Sequence, residues 1–115
     1  MSIQRLHVGK RLSEAAIYNN TVYLAGQVAE DATQDITGQT KQVLASIDKL
    51  LAEAGTDKSK LLQVTIFIAD MADFPGMNAV WDSWVVPGAT PPRATVEAAL
   101  AQPGWKVEML VVAAK

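Results

Sequence analysis

The chain of 115 residues contains no cysteine. Disulfides, thiolate metal sites and cysteine nucleophiles are therefore excluded. It contains one histidine, His7. A single imidazole cannot build a histidine-rich metal cage and leaves little for a Ser-His-Asp triad. Charge is balanced, with 10 Lys and Arg against 12 Asp and Glu and a formal net charge of −2. No broad positive field exists to draw in a nucleic-acid backbone, so nucleic acid is not expected as a partner. Long apolar runs are missing as well. The longest, Met109 to Ala114, falls far short of the ~20 residues of a membrane helix. The first ten residues are polar and mixed, without the apolar stretch of a signal peptide. No membrane association and a cytoplasmic location are the resulting expectations. No fixed-period repeat, low-complexity tract or linker interrupts the chain, and residues 1–115 read as a single domain.

What is present is an apolar excess. Hydrophobic residues make up 50 % of the chain and charged residues 19 %. An average soluble domain carries about 25 % charged residues. A small domain has much surface to cover, and this one has little charge to cover it with. The surplus apolar surface is predicted to face another subunit.

Ile3 to Val8 alternates weakly and reads as a short strand. Glu14 to Tyr18 and Thr21 to Val28 read as two strands around Asn19-Asn20, a pair that tolerates the positive φ of a tight hairpin. A polar loop, Glu30 to Asp35, follows. From Asp35 to Ala54 the residues Ile36, Thr40, Val43, Leu44, Ile47, Leu50, Leu51 and Ala54 recur at steps of three and four. That spacing lines one face of a helix, and Gly55 stands where a C-cap belongs. The other face, with Gln39, Lys41, Gln42, Asp48, Lys49 and Glu53, is expected to be solvated.

Leu61 to Ala69 is rich in β-branched and apolar residues on both sides and predicts a strand covered on both faces. Asp73 is placed to cap a second helix with Pro75 in its first turn. Met77, Val80, Trp81, Trp84 and Val85 again follow helical spacing; the tryptophans read as a core stripe rather than a ligand platform. Arg93 to Leu100 and Lys106 to Ala113 read as two final strands, antiparallel neighbours across Ala101-Gln102-Pro103-Gly104. The order β-β-β-α-β-α-β-β predicts an α+β layer, a mixed sheet with both helices on one face. Subunit association is the simplest cover for the other face.

Two charged residues stand out in these last strands. Glu108 shares its side with Leu110 and Val112, and a carboxylate among apolar neighbours is costly unless a donor reaches it. Arg93 shares its side with Thr95 and Glu97, opposite the plain apolar face of Ala94, Val96 and Ala98. Two readings compete. In one, Arg93 and Glu108 form a structural ion pair or lie at the solvent rim. In the other they line a small anion pocket, where the planar fork of Arg93 binds a carboxylate in two places and Glu108 orients a water. The pattern alone does not choose.

The run Pro92-Arg93-Ala94-Thr95-Val96-Glu97, followed by Lys106-Val107-Glu108 and an apolar C-terminus, resembles the RidA/YjgF family of enamine/imine deaminases, its YoaB-like members in particular. Leu24-Ala25-Gly26-Gln27-Val28, Gln39-Thr40-Lys41-Gln42-Val43-Leu44, Asn78-Ala79-Val80-Trp81 and the strand around Val64-Thr65-Ile66-Phe67 are similar too. The resemblance implies a chorismate-mutase-like fold, a homotrimer, and a pocket in the cleft between neighbouring subunits. It implies that Arg93 binds the substrate carboxylate and that Glu108 positions the hydrolytic water. Thr95 stands where many members have Cys, so its backbone would line the pocket. Leu12 stands where the family often has Tyr, and Ala25 where it often has Ser. Both changes remove a hydroxyl from the expected substrate-binding set.

The implied activity is hydrolysis of 2-aminoacrylate-type enamines and imines to 2-oxo acids and ammonia, without metal or organic cofactor. The expected partner is a carboxylate-bearing imine or 2-oxo acid. The alternative is a trimer that binds such a metabolite without turnover. An endoribonuclease, a label often attached to the family, fits poorly with one histidine and no basic run interleaved with aromatics.

Overall fold

The computed structural model describes residues 2–115. Strands β1 (Gln4–Val8), β2 (Ser13–Tyr18), β3 (Thr21–Leu24) and β4 (Gln27–Val28) lead into helix α1 (Ile36–Glu53). Then come β5 (Leu61–Ile68), α2 (Phe74–Trp84), β6 (Arg93–Glu97) and β7 (Val107–Ala114), with short 3₁₀ turns at Lys58–Lys60 and Met71–Asp73. All strands join one mixed sheet in the order β1-β2-β3-β7-β5-β6, with β4 also paired to β7. Only the β5–β6 pair is parallel, joined by the α2 crossover.

Local chemistry explains most boundaries. Asn19 and Asn20 take φ of 51° and 60°, which is the primed turn that their sequence predicted. The Asp35 carboxylate accepts from the Gly38 N–H at 2.8 Å and starts α1. Gly55, at φ 86°, ends it. The Gly55 N–H donates to Ala52 and the Thr56 N–H to Leu51, the two bonds of a Schellman stop. Asp73 stands before α2 without a side-chain cap, and Asp70 instead caps the 3₁₀ turn by accepting from Ala72 at 2.9 Å. The predicted strand from Thr21 to Val28 is broken at Ala25-Gly26, so β3 and β4 pair separately with β7.

One face of the sheet packs on both helices. Val64, Ile66 and Ile68 of β5 and Val107, Met109 and Val111 of β7 meet Val43, Ile47 and Leu51 of α1 and Met77 and Trp81 of α2. The other face is bare. Tyr18, Tyr23, Val96 and Leu110 on it are 40–50 % exposed. Within one chain β5 is covered on one side only: Thr65 and Phe67 are half-buried, because the helices shield a single face. An apolar surface of this kind marks an interaction face.

Gln39 also departs from expectation. The helical spacing puts it on the solvated side of α1, yet it is fully buried. Its amide nitrogen donates to Ala32, Gln34 and Gly104 carbonyls at 3.0–3.2 Å, and its oxygen accepts from the Lys106 N–H at 2.9 Å. A helix position that faces loops rather than water can hold a polar residue when every polar atom is satisfied.

Candidate functional site

Pro91 and Pro92 bring the chain to the outer edge of the sheet, where the Val64 N–H donates to the Pro92 carbonyl at 3.1 Å. Arg93 then pairs with Val64, and Thr95 with Ile66. Val64 and Ile66 face the helices, so Arg93 and Thr95 do too. The half-buried Arg93 guanidinium lies 5.2 Å from the centre of the Trp81 ring and 5.8 Å from that of Phe74. Both rings come from α2, seven residues apart on one stripe. Among the described residues no carboxylate pairs with Arg93.

Two further polar groups lie on the same two elements. Asn78 lies on the same stripe of α2, four residues after Phe74, and Thr95 follows on β6. Asn78 Oδ1 and Thr95 Oγ1 are both buried without a hydrogen-bond partner. The backbone adds a donor. The Val64–Pro92 bond and the Ala98 N–H to Ile68 bond frame β6. By the alternation of a ladder they turn the N–H and C=O of Thr95 towards the free edge.

Glu108 lies elsewhere. It sits on β7, opposite Phe67 of β5 and Val28 of β4, on the bare face. Its side chain is half-buried and has neither a hydrogen-bond nor an ionic partner among the described residues. It lies against the backbone at Gly26; a Cβ there would meet Glu108 Oε2 at 2.1 Å. Ala25 adjoins this spot. Its N–H donates to the Glu14 carbonyl at 2.8 Å, and its carbonyl accepts from Gln27 Nε2 at 3.1 Å. Leu12, 56 % exposed, ends the β1–β2 turn, where its carbonyl accepts from the Gly9 N–H at 2.8 Å.

This corrects the sequence reading at two points. The strands bearing Arg93 and Glu108 are not neighbours, because β5 lies between them. Nor do the two side chains share a face, since Arg93 is in register with Val64 and Glu108 with Phe67, three residues on. An intrachain ion pair is thereby ruled out. The reason is the α2 crossover, which returns the chain parallel to β5 on its outer side and leaves the inner side to β7. The five expected site residues thus form two groups, Arg93 and Thr95 at one edge, and Glu108, Ala25 and Leu12 towards the other.

Sequence reasoning missed Asn78 and Phe74 and took Trp81 as core alone. The available signal was a lone amide within an otherwise apolar helical stripe. A separate cavity of about 300 Å³ is lined by His7, Glu14, Gln27, Ser46, Lys49, Leu50 and Glu53, none of them among the expected site residues. His7, at φ 52°, turns its ring nitrogen against the Glu53 carboxylate there. No group of three or more metal-ligating side chains exists among the described residues, and no helix there is long and apolar enough to cross a membrane.

The fold and site define a small α+β protein with an uncompensated arginine at one sheet edge and an uncompensated glutamate on its bare face. The family model described as Endoribonuclease L-PSP matches residues 2–115. A RutC family protein of Haemophilus ducreyi is 53 % identical over 97 % of this chain and 96 % of its own. The RutC family protein YoaB of Escherichia coli is 46 % identical over 99 % of each. Reactive Intermediate Deaminase A, chloroplastic, of Arabidopsis thaliana is 30 % identical over 88 % of this chain and 57 % of its own. A solved member of the YjgF protein family from Neisseria meningitidis matches with a TM-score of 0.97 at 45 % identity, covering 100 % of this chain and 96 % of that one. The chain belongs to the RidA/YjgF family.

Proposed function

We propose that the protein hydrolyses reactive carboxylate-bearing imines and enamines to 2-oxo acids and ammonia, at sites that two copies complete together in a ring. The observation that carries this is the pair of half-buried charges, each without a counter-charge among the described residues and each on its own face of the sheet. A half-buried ion without a partner is costly. Apposing the β6 edge of one copy to the bare face of the next, in a homotrimer, gives each charge an opposite one and covers the exposed Tyr23, Val96 and Leu110. The kinship with a protein named Reactive Intermediate Deaminase A supports the same reading.

In this reading the Arg93 fork and the outward Thr95 N–H grip the substrate carboxylate. Glu108 of the adjoining copy takes a proton from a water as it adds to the C=N carbon. That proton passes to the imine nitrogen to complete a carbinolamine; the carbinolamine hydroxyl proton then moves by way of Glu108 to the amine nitrogen as the C–N bond breaks, and ammonia and the 2-oxo acid leave. Positioning is the main contribution, since it turns a bimolecular addition into a local one. Leu12 and Ala25 lie on the Glu108 side and supply contacts without hydroxyls.

The test couples an amino-acid oxidase or a serine dehydratase to the protein and traps the imine with semicarbazide. Added protein is expected to divert the imine from semicarbazone to 2-oxo acid, and Arg93→Ala to abolish this. Unchanged trapping across a panel of amino acids refutes the enzyme. A second reading, binding without turnover, draws on the fully engaged N–H of Ala25 and the missing hydroxyls. Under it, Glu108→Gln leaves the protein's behaviour intact.

A further inference from the structure

We infer that Trp81 and Phe74 are positioning residues for Arg93, holding its guanidinium flat so that its N–H edge stays free for a carboxylate. This rests on the function proposed above. Arg93 sits on an edge strand, and a long flexible stem at an edge ordinarily sweeps many conformations. Proteins usually fix such an arginine with a carboxylate, which occupies the same N–H groups that a substrate needs. Among the described residues no carboxylate pairs with it. Two aromatic rings hold it instead, at 5.2 and 5.8 Å from their centres. An aromatic face attracts the cation without using the in-plane donors. The side chain is thereby fixed with its in-plane donors free.

The support is itself braced. Trp81 is 5 % exposed and packs on Trp84, ring centres 5.4 Å apart at 47°. Trp84 Nε1 donates to the Asp48 carboxylate of α1 at 3.0 Å. Lys58 Nζ lies 5.1 Å over the Trp84 ring and donates to the Trp84 carbonyl at 2.7 Å. The orientation of Arg93 is thus set through α2 by groups on α1 and on the turn before β5. Asn78 Oδ1, on the same stripe of α2, and Thr95 Oγ1, on the same face of β6, are buried without a partner, and neither group carries a charge.

The experiment uses the full-length assembled protein with pyruvate as the probe anion. Binding is measured by calorimetry, and the Arg93 Nε–H resonance by nitrogen-15 NMR. Wild type is expected to show an Arg93 Nε–H signal shifted upfield by the rings. Phe74→Leu and Trp81→Leu should lose that shift and weaken pyruvate binding about tenfold each. Trp81→Phe, which keeps an aromatic face, should restore most of both. If Trp81→Leu fails to fold, Phe74→Leu at its half-exposed position and Trp81→Phe decide alone. Arg93→Met separates the two ideas. If Arg93→Met binds pyruvate as wild type does, the proposed function fails. If Arg93→Met loses binding while the aromatic variants bind within about twofold of wild type and keep the resonance in place, the positioning role is overturned and the function stands.

Discussion

Two inactive variants should restore each other when mixed, provided that each site draws Arg93 from one copy and Glu108 from another. The separation within one chain makes this a sharp test. Strands lie about 4.8 Å apart, so β6 and β7, with β5 between them, are about 10 Å apart. The register offset from Val64 to Phe67 adds about 10 Å along the strands, and the two side chains leave opposite faces. A small carboxylate substrate cannot touch both in one copy. Arg93→Ala alone removes the anion grip, at a cost of about 2–5 kcal/mol in binding. Glu108→Gln alone removes the base, worth roughly 10²–10⁴ in turnover. Co-refold the two variants at equal amounts, so that copies mix at random around a closed ring. A site is then complete when the copy giving Arg93 is the Glu108→Gln variant and its neighbour is the Arg93→Ala variant. That occurs at about one site in four, so about a quarter of wild-type activity returns. The imine-trapping assay reads the activity, and native mass spectrometry confirms mixed assemblies. Mixed assemblies with no recovered activity would refute shared sites.

Three other perturbations act on single residues of this fold. Gly26→Ala places a methyl 2.1 Å from Glu108 Oε2 without requiring a positive φ, so the carboxylate swings away while the fold holds. Turnover is expected to fall as it does for Glu108→Gln, with thermal unfolding within about 1 kcal/mol of wild type. Gln39→Leu strips hydrogen bonds from three carbonyls and the Lys106 N–H in a buried site. Denaturant unfolding should show a loss of about 3 kcal/mol or more. Asp57 accepts from the Ser59 hydroxyl and, at 2.8 Å, from the Ser59 N–H, and these bonds hold its carboxyl below the usual value of 3.8. A depressed folded value means that its stabilising effect is complete above the unfolded carboxyl value and is lost as pH falls through the folded one. Carbon-13 titration of Asp57 should show the low midpoint, and Ser59→Ala should move it upward.

Some of this protein is written in its chain. The period of α1, its Asp35 start and Gly55 stop, the Asn19-Asn20 hairpin and the alternation of β7 are short-range matters of dihedral preference and side-chain spacing, and they stand where the residues put them. The apolar excess, too, reappears as a bare sheet face with Tyr23, Val96 and Leu110 on it. The sequence also marks Arg93 and Glu108 as charged residues on two C-terminal strands that each carry an apolar face. It does not reveal that β5 lies between them, because strand order follows from the side on which a crossover returns, and nothing within β6 or β7 encodes that. The burial of Gln39 was hidden for a similar reason: a polar residue is tolerated inside when distant loop carbonyls, here Ala32, Gln34 and Gly104, happen to meet it. Only the tertiary structure laid Arg93 on Trp81 and Phe74 and set Glu108 on the opposite face, because packing α2 over the sheet edge brings together residues whose spacing in the chain carries no trace of the contact.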